Sequence, residues 1–167
     1  MTILAFLQNP WHPQNTSKRV IEKYRDNQKF HRVVFRNSMS GRRLLKALGP
    51  EFFDRVIWDN ACELYTSRSD GLQKYSRNHM LESIRENRPD LVLAFGNQAR
   101  MGMEEMIFMR KYSGLVLYCH HPNARGRTQA DLNNFAITVR EAVHNHGTSS
   151  ETMGARAPNA SDRAAGR

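Results

Sequence analysis

Cysteine is scarce in this 167-residue chain: Cys62 and Cys119 are its two cysteines, and they lie far apart in the sequence. Without a Cys-x-x-Cys pair, the chain cannot build a four-cysteine zinc site or a four-cysteine iron–sulfur cluster. Its seven histidines also lack the His-Glu-x-x-His spacing of zinc hydrolases. We therefore predict two reduced, partly buried thiols near strand ends and no metal.

Long apolar runs are missing as well. No stretch reaches the roughly 18 apolar residues that a membrane-spanning helix needs. The first apolar run is short and has no basic residues ahead of it, which favours a first strand over a signal peptide. The sequence thus predicts a cytoplasmic or nucleoid-associated protein with no membrane segment.

Several phosphate-binding and catalytic motifs are absent. The chain contains neither Gly-x-Gly-x-x-Gly nor Gly-x-x-x-x-Gly-Lys-Ser/Thr, the glycine-rich loops that hold nucleotide phosphates. It also lacks the Gly-x-Ser-x-Gly turn that presents the nucleophile of many serine hydrolases. These absences argue against a nucleotide-dependent enzyme and against a serine hydrolase of that type.

Acidic residues are few relative to basic ones. The chain has 16 Asp and Glu against 25 Lys and Arg, a formal charge of +9. Most of the basic residues are arginines, whose planar guanidinium suits phosphate recognition. A charge of this size favours a polyanionic partner, nucleic acid first, although it also fits simple solubility or loose, non-specific binding.

The apolar residues that are present form four strand-length runs, at 3–7, 55–58, 91–95 and 115–119. Helical patterns alternate with them, at 17–24, 40–48, 72–87, 98–111 and 131–144. Continuously apolar strands between helices indicate a parallel sheet covered on both faces. We predict an α/β fold, a three-layer α/β/α sandwich with a central, mostly parallel four-stranded sheet, over residues 1–146. A tail without hydrophobic periodicity, expected to be disordered, follows over 147–167.

Polar loops follow the predicted strands. Gln8-Asn9-Pro10-Trp11-His12 follows the first strand, and His120-His121-Pro122-Asn123 follows the last. In an open parallel sheet, the loops after the carboxyl ends of the strands form the ligand crevice, so these two loops are predicted to meet. After the second strand, Asp59 and Asn60 should point to opposite faces, so that one of them faces the crevice. The alternative is that these Asn and His residues merely cap and close the loops.

Five segments, in this order, resemble the uracil-DNA glycosylase superfamily over roughly residues 3–143. They are Gln8–His12, Phe35–Gly49, Arg55–Asn60, Pro89–Ala99 and His121–Asn123. The first resembles the motif that reads Gly-Gln-Asp-Pro-Tyr-His in the classical branch, and the last resembles its His-Pro-Ser motif. The resemblance implies an enzyme that flips a base out of DNA and hydrolyses its N-glycosidic bond without a cofactor.

The resemblance also implies roles for individual residues. Asn9 would orient the attacking water, and His121 would donate a hydrogen bond to the pyrimidine O2 as negative charge develops there. The residues expected to bind the base are Gln8, Trp11, Phe35 and Asn60, with Phe35 stacking on the ring. The residues expected to bind DNA are Arg100, Asn123, Arg125 and Arg127.

Two departures from the superfamily pattern keep a second interpretation open. Asn9 stands where the classical branch has Asp, and an amide cannot accept a proton at neutral pH. Asn123 stands in place of the usual Ser. The primary prediction is a monomeric, monofunctional DNA glycosylase acting on uracil or a modified pyrimidine, in DNA repair or a related process. The alternative is a catalytically weak or inactive protein of the same fold that binds nucleic acid or a modified base.

Overall fold

The computed structural model describes residues 1–8, 35–62 and 74–154, with side chains described as far as residue 146. Its four strands are β1 (Ile3–Leu7), β2 (Ile57–Asn60), β3 (Leu91–Phe95) and β4 (Leu115–Cys119). They form one sheet in the order β2-β1-β3-β4, and every neighbouring pair is parallel. The predicted α/β sandwich is confirmed, and the described sheet is wholly parallel rather than mostly so.

The described helices are α1 (Met39–Leu48), α2 (Pro50–Arg55), α3 (Arg77–Asn87), α4 (Asn97–Phe108) and α5 (Gln129–Gly154). Serine side chains cap two of them: Ser38 accepts from the Gly41 N–H before α1, and Ser76 accepts from the His79 N–H before α3. Gly49, at a φ of +83°, ends α1, because a left-handed residue at that place interrupts the helical ladder.

Two hydrophobic cores lie on opposite faces of the sheet. Side chains of β1 alternate between them, with Ala5 and Leu7 on one side and Leu4 and Phe6 on the other. Helices α1, α2 and α5 cover the first side, which we call the α1/α5 face, and helices α3 and α4 cover the second, the α3/α4 face. Every residue of the central strands β1 and β3 is buried, as their continuously apolar sequences predict.

The second strand begins two residues later than predicted. The apolar run at 55–58 suggests a strand from Arg55, but residues 50–55 form the short helix α2. Pro50 occupies the first turn of α2, where its fixed φ is favourable and its missing N–H costs nothing. Phe53 then faces the α1/α5 core, and the chain becomes extended only at Val56.

Other helix boundaries also differ from the predictions. Helix α3 begins at Arg77 rather than at residue 72, after the Ser76 cap. Helix α5 continues to Gly154, so the tail boundary predicted at residue 147 does not coincide with the end of the helix. Extending an existing helix costs little, and neither a proline nor a left-handed cap interrupts this one. The helix predicted over 17–24 and the residues after 154 lie outside the described residues.

None of the helices in the described part of the chain is both long enough and apolar enough to cross a membrane. Both cysteines are thiols: Cys62 is buried and Cys119 is half-buried. Burial raises the pKa of each to about 11, so both are neutral thiols at physiological pH.

Helix α4 offers a matched test of the packing. Met103 is fully buried under the sheet, whereas Met101, two residues earlier in the same helix, is 46% exposed. We expect Met103→Ala to lower the free energy of unfolding by about 2–5 kcal/mol through the cavity that it leaves. Met101→Ala should change it by less than about 0.5 kcal/mol. Urea denaturation measures both, and equal losses would contradict the orientation described for α4.

Candidate functional site

The four strands end at one edge of the sheet. In the order of the strands across that edge, Asn60 ends β2, Gln8 follows β1, Gly96 follows β3 and His121 lies two residues after β4. A Cβ atom built on Gly96 would lie 2.7 Å from Gln8 Oε1 and 3.3 Å from the Cβ of His121. The side chains of Gln8 and His121 therefore approach each other over the bare Gly96 backbone, so the first residue of the Gln8–His12 segment lies near the last loop. The rest of that segment lies outside the described residues.

Gly96 permits this approach in two ways. Its φ of +87° lies in the region that L-residues with a side chain avoid. It also offers no Cβ to the two side chains above it, and its N–H donates to the Cys119 carbonyl at 2.8 Å, which ties the end of β3 to the end of β4. The backbone at Gly96 thus leaves room for the side chains of Gln8 and His121 to approach each other.

His121 presents one particular ring nitrogen. Its Nδ1 accepts a hydrogen bond from the Asn123 N–H at 3.3 Å, so in the neutral imidazole the proton is assigned to Nε2. Burial lowers the pKa of His121 below its ordinary value, which favours the neutral form at pH 7. A neutral Nε2–H at a strand end can donate to an oxygen on which negative charge develops.

A pocket of about 190 Å³ lies beside His121, between the end of β4 and the start of α5. It is lined by Tyr118, Cys119, His120, His121, Arg127, Asp131, Leu132 and Phe135. The raised pKa of Cys119 keeps its thiol protonated, so this pocket holds no thiolate nucleophile. Its apolar wall and adjacent N–H donor suit binding of a polar ring better than covalent chemistry.

Asp59 and Asn60 point to opposite faces of the sheet, as their adjacent positions in β2 predict. The Asp59 carboxylate lies on the α3/α4 side, where His79 Nε2 is 3.0 Å away, and it also accepts from the Asn60 N–H at 2.8 Å. Asn60 is in register with Leu7 and shares the α1/α5 face with it. Asn60 is therefore the member of the pair on the side of the sheet where His121 has its pocket.

The Asp59 carboxylate is hydrogen-bonded within the fold. Burial alone would raise its pKa, but the hydrogen bond and positive charge of His79, with further hydrogen bonds from Ser83 and the Asn60 backbone, outweigh burial and lower the pKa. Asp59 is thus ionised and held by partners on the α3/α4 side.

Phe35 lies on the same face as Asn60. Its ring centroid is 4.9 Å from that of Trp58 and 5.6 Å from that of Phe53, and the residue is half-buried. Aromatic contacts continue from Trp58 to Phe95 at 6.2 Å and from Phe95 to Phe135 at 5.4 Å. This row of rings crosses the α1/α5 face from Phe35 to the pocket beside His121.

Three of the four residues predicted to bind DNA have partners within the protein. Arg100 pairs with Glu104 at 3.4 Å, and a guanidinium nitrogen of Arg127 lies 2.7 Å from Nε2 of His120. The Asn123 side-chain amide donates to Ser40 Oγ at 2.8 Å. Arg125 is exposed and has no side-chain hydrogen bond or ion pair to the described residues, so it is the one of the four that is open to a phosphate.

Asn9 and Trp11, predicted to orient water and to contact the base, lie outside the described residues. Sequence reasoning missed Ser40 and Arg43, which contact the loop that carries His121. Ser40 resembled a helix cap, but Ser38 is the observed cap of α1, and nothing local marks Arg43 as different from its neighbour Arg42. In the described ranges, no three His, Cys, Asp or Glu residues are grouped to hold a metal ion.

Comparisons of this chain with models of protein families, with curated proteins and with solved structures find no match. The resemblance to uracil-DNA glycosylases therefore rests on the five segments quoted above. The site must be interpreted from its own geometry, which brings Gln8 and His121 together and places Asn60 and Phe35 on one face.

Gly96→Ala tests the close approach at the strand ends, and Gly126→Ala is its matched control. Both glycines have a positive φ, but a Cβ at Gly126 meets nothing within 4 Å. We expect both variants to lose about 1–3 kcal/mol of stability from backbone strain, and Gly96→Ala to lose more because Gln8 must move. In NMR spectra, Gly96→Ala alone should shift the side-chain signals of Gln8 and His121. Identical behaviour of the two variants would contradict the geometry.

The lowered pKa of His121 predicts a pH dependence of stability. Below the unfolded-state pKa of about 6.5, the unfolded chain binds a proton that the folded His121 resists, so this contribution is present above that pH and is lost as the pH falls. We expect the wild type to lose more stability than His121→Gln between pH 7 and pH 5. Urea denaturation at a series of pH values measures the difference, and parallel pH profiles would refute the prediction.

Proposed function

We propose that this chain is a monofunctional DNA N-glycosylase that removes uracil or a modified pyrimidine flipped out of the helix. The observation that carries this proposal is the placement of His121 beside Gln8 at the carboxyl edge of the sheet, where its Nδ1 accepts from the Asn123 N–H and its Nε2 is left to donate. Asn60 and Phe35 lie on the same face as the pocket next to it. An amide, an aromatic ring and a neutral imidazole are the groups needed to read, stack and stabilise a leaving pyrimidine.

In the proposed reaction, the bond between the sugar C1′ and the base N1 breaks, and its electron pair leaves with the base. Negative charge then develops on the pyrimidine O2, where the Nε2–H of His121 donates a hydrogen bond. Water adds to the cationic C1′, and the proton that it loses neutralises the departing base anion, which gives the free base and an abasic site. By the resemblance, Asn9 orients that water. Neither a metal nor a cofactor is needed in this scheme.

Recognition of the base would combine stacking with hydrogen bonds. Flipping a nucleotide costs a few kcal/mol, and stacking on Phe35 returns on the order of 1–3 kcal/mol. The Asn60 amide has both a donor and an acceptor to offer to a pyrimidine edge. By the resemblance, Gln8 and Trp11 would complete the base pocket, with Trp11 in place of the Tyr that crowds the C5 position.

The proposed partner is DNA, bound by a monomer in the cytoplasm or on the nucleoid. The net charge of +9 supports a polyanionic partner, and Arg125 is exposed and open on the loop that follows His121. Its contact with a phosphate next to the flipped base would position the DNA without reading its sequence.

A second candidate function is base recognition without hydrolysis. The positions of the carboxylate side chains favour it. Asp59, next to Asn60, is held by its partners on the α3/α4 side. Asp131, which lines the pocket beside His121, accepts hydrogen bonds from the Thr128 N–H and hydroxyl. The first loop offers the amide of Asn9 where the classical branch has a carboxylate. Such a protein would flip and hold the base but leave the glycosidic bond intact.

Release of free base tests the two functions. Single- and double-stranded oligonucleotides with uracil or 5-substituted uracils are incubated with the wild type, His121→Ala and the control His146→Ala, a change at an exposed histidine of α5 that does not line the pocket. We expect release by the wild type and by His146→Ala, and a decrease of about 10²–10³-fold in rate for His121→Ala.

Binding without release on every oligonucleotide would favour the second candidate, and Asn9→Asp would then be expected to restore release. A protein that neither binds these oligonucleotides nor releases a base would refute both functions.

A further inference from the structure

Helix α1 holds the loop that carries His121. The Arg43 guanidinium donates to two backbone carbonyls of this loop, those of Pro122 and Arg127, the latter at 3.1 Å. One turn earlier in the helix, Ser40 Oγ accepts from the Asn123 side-chain amide at 2.8 Å. The Gln129 amide in turn donates to the Arg43 carbonyl at 3.1 Å. The loop is thus attached to α1 at its beginning and at its end.

These contacts fix the Asn123 N–H, whose hydrogen bond to Nδ1 of His121 leaves the ring proton on Nε2. The turn after β4 closes through a hydrogen bond from the Ala124 N–H to the His121 carbonyl at 2.9 Å. Within it, the Asn123 N–H lies 3.3 Å from Nδ1 of His121. Arg43 fixes the residue before Asn123, and Ser40 fixes the Asn123 side chain. The position of that N–H therefore depends on α1.

The same helix is connected to the residue proposed to stack on the base. The backbone N–H and the hydroxyl of Ser38, the α1 cap, both donate to the Phe35 carbonyl, at 2.9 and 2.7 Å. The Phe35 ring rests on Trp58 and Phe53 of the core that α1 helps to build. Helix α1 therefore positions both Phe35 and His121, which lie 86 positions apart in the sequence.

We propose that Arg43, supported by Ser40, is a positioning residue that keeps His121 in its Nε2–H form and in register with Phe35. The effect of Arg43 on catalysis rests on the proposed function, whereas its effect on the His121 ring does not. A guanidinium can span two carbonyls with separate N–H groups, whereas a lysine ammonium at the same place is a single point charge. Pro122 is buried, so loss of Arg43 leaves its carbonyl short of a donor.

The neighbouring arginine provides the control. Arg42 is exposed, and its side chain has no hydrogen bond or ion pair to the described residues. Arg43, in contrast, uses its donors inside the protein. Arg125 is the arginine proposed to contact a phosphate. Removal of a phosphate contact weakens binding on all sequences and reduces the salt slope by about 1. Removal of a positioning residue leaves that slope unchanged.

The first arm of the test needs no activity. Long-range ¹H–¹⁵N spectra of the histidine rings show which nitrogen of His121 is protonated in the wild type, Arg42→Ala, Arg43→Ala, Arg43→Lys and Ser40→Ala. We expect the Nε2–H form in the wild type and in Arg42→Ala, and a mixture of both neutral forms in Arg43→Ala. Arg43→Lys and Ser40→Ala should lie between these limits.

The second arm uses base release from the best uracil oligonucleotide. We expect Arg43→Ala to lower kcat roughly 10–100-fold with little change in KM or in the salt slope of binding. Arg42→Ala should leave kcat unchanged, whereas Arg125→Ala, which removes the proposed phosphate contact, should reduce the salt slope by about 1.

The outcomes separate cleanly. An unchanged His121 spectrum in Arg43→Ala, or in Arg43→Lys and Ser40→Ala if Arg43→Ala does not fold, would overturn the proposal. A lowered salt slope with unchanged kcat in Arg43→Ala would make Arg43 a phosphate ligand and would also overturn it. If no variant and no wild type releases a base, the glycosylase function fails, while the spectra still decide whether Arg43 positions His121.

Discussion

In a parallel sheet the carboxyl ends of all strands lie along one edge, and every connection must travel back across a face of the sheet. The order β2-β1-β3-β4 therefore brings the residues after four separate strands to one place. It also requires helices on both faces, which is why β1 and β3 are buried on both sides and apolar throughout. The site at the strand ends and the two cores are consequences of the same pairing.

Helix α1 belongs both to the core and to the site. Leu44 and Leu48 place one stripe of the helix in the α1/α5 core, and Ser40 and Arg43, which border that stripe nearer the start of the helix, contact the loop after β4. At its far end, Arg140 of α5 donates to the Ala47 and Leu48 carbonyls at 3.0 and 3.1 Å. The irregular loop around His121 is consequently tied to a helix that is itself held in the core.

The layer architecture and three of the four strands could be predicted from the sequence, because a continuous apolar run between helices is a local signal. The approach of Gln8 to His121 followed from topology alone. Helix α2 could not be predicted, since its six residues adjoin the apolar run that became β2. The partners of Arg127 and Asn123 were also out of reach, because hydrogen bonds between distant segments leave no periodic trace.

Gly96 has an evolutionary consequence. Its positive φ and the two side chains above it each disfavour a larger residue at position 96, so a substitution there violates both constraints. Any residue with a Cβ there requires a remodelled turn between β3 and α4, displaces the amide at the end of the Gln8 side chain and crowds the Cβ of His121. Positions 8, 96 and 121 should accordingly change in concert among descendants of this sequence, so their covariation would trace the site even where each residue has diverged.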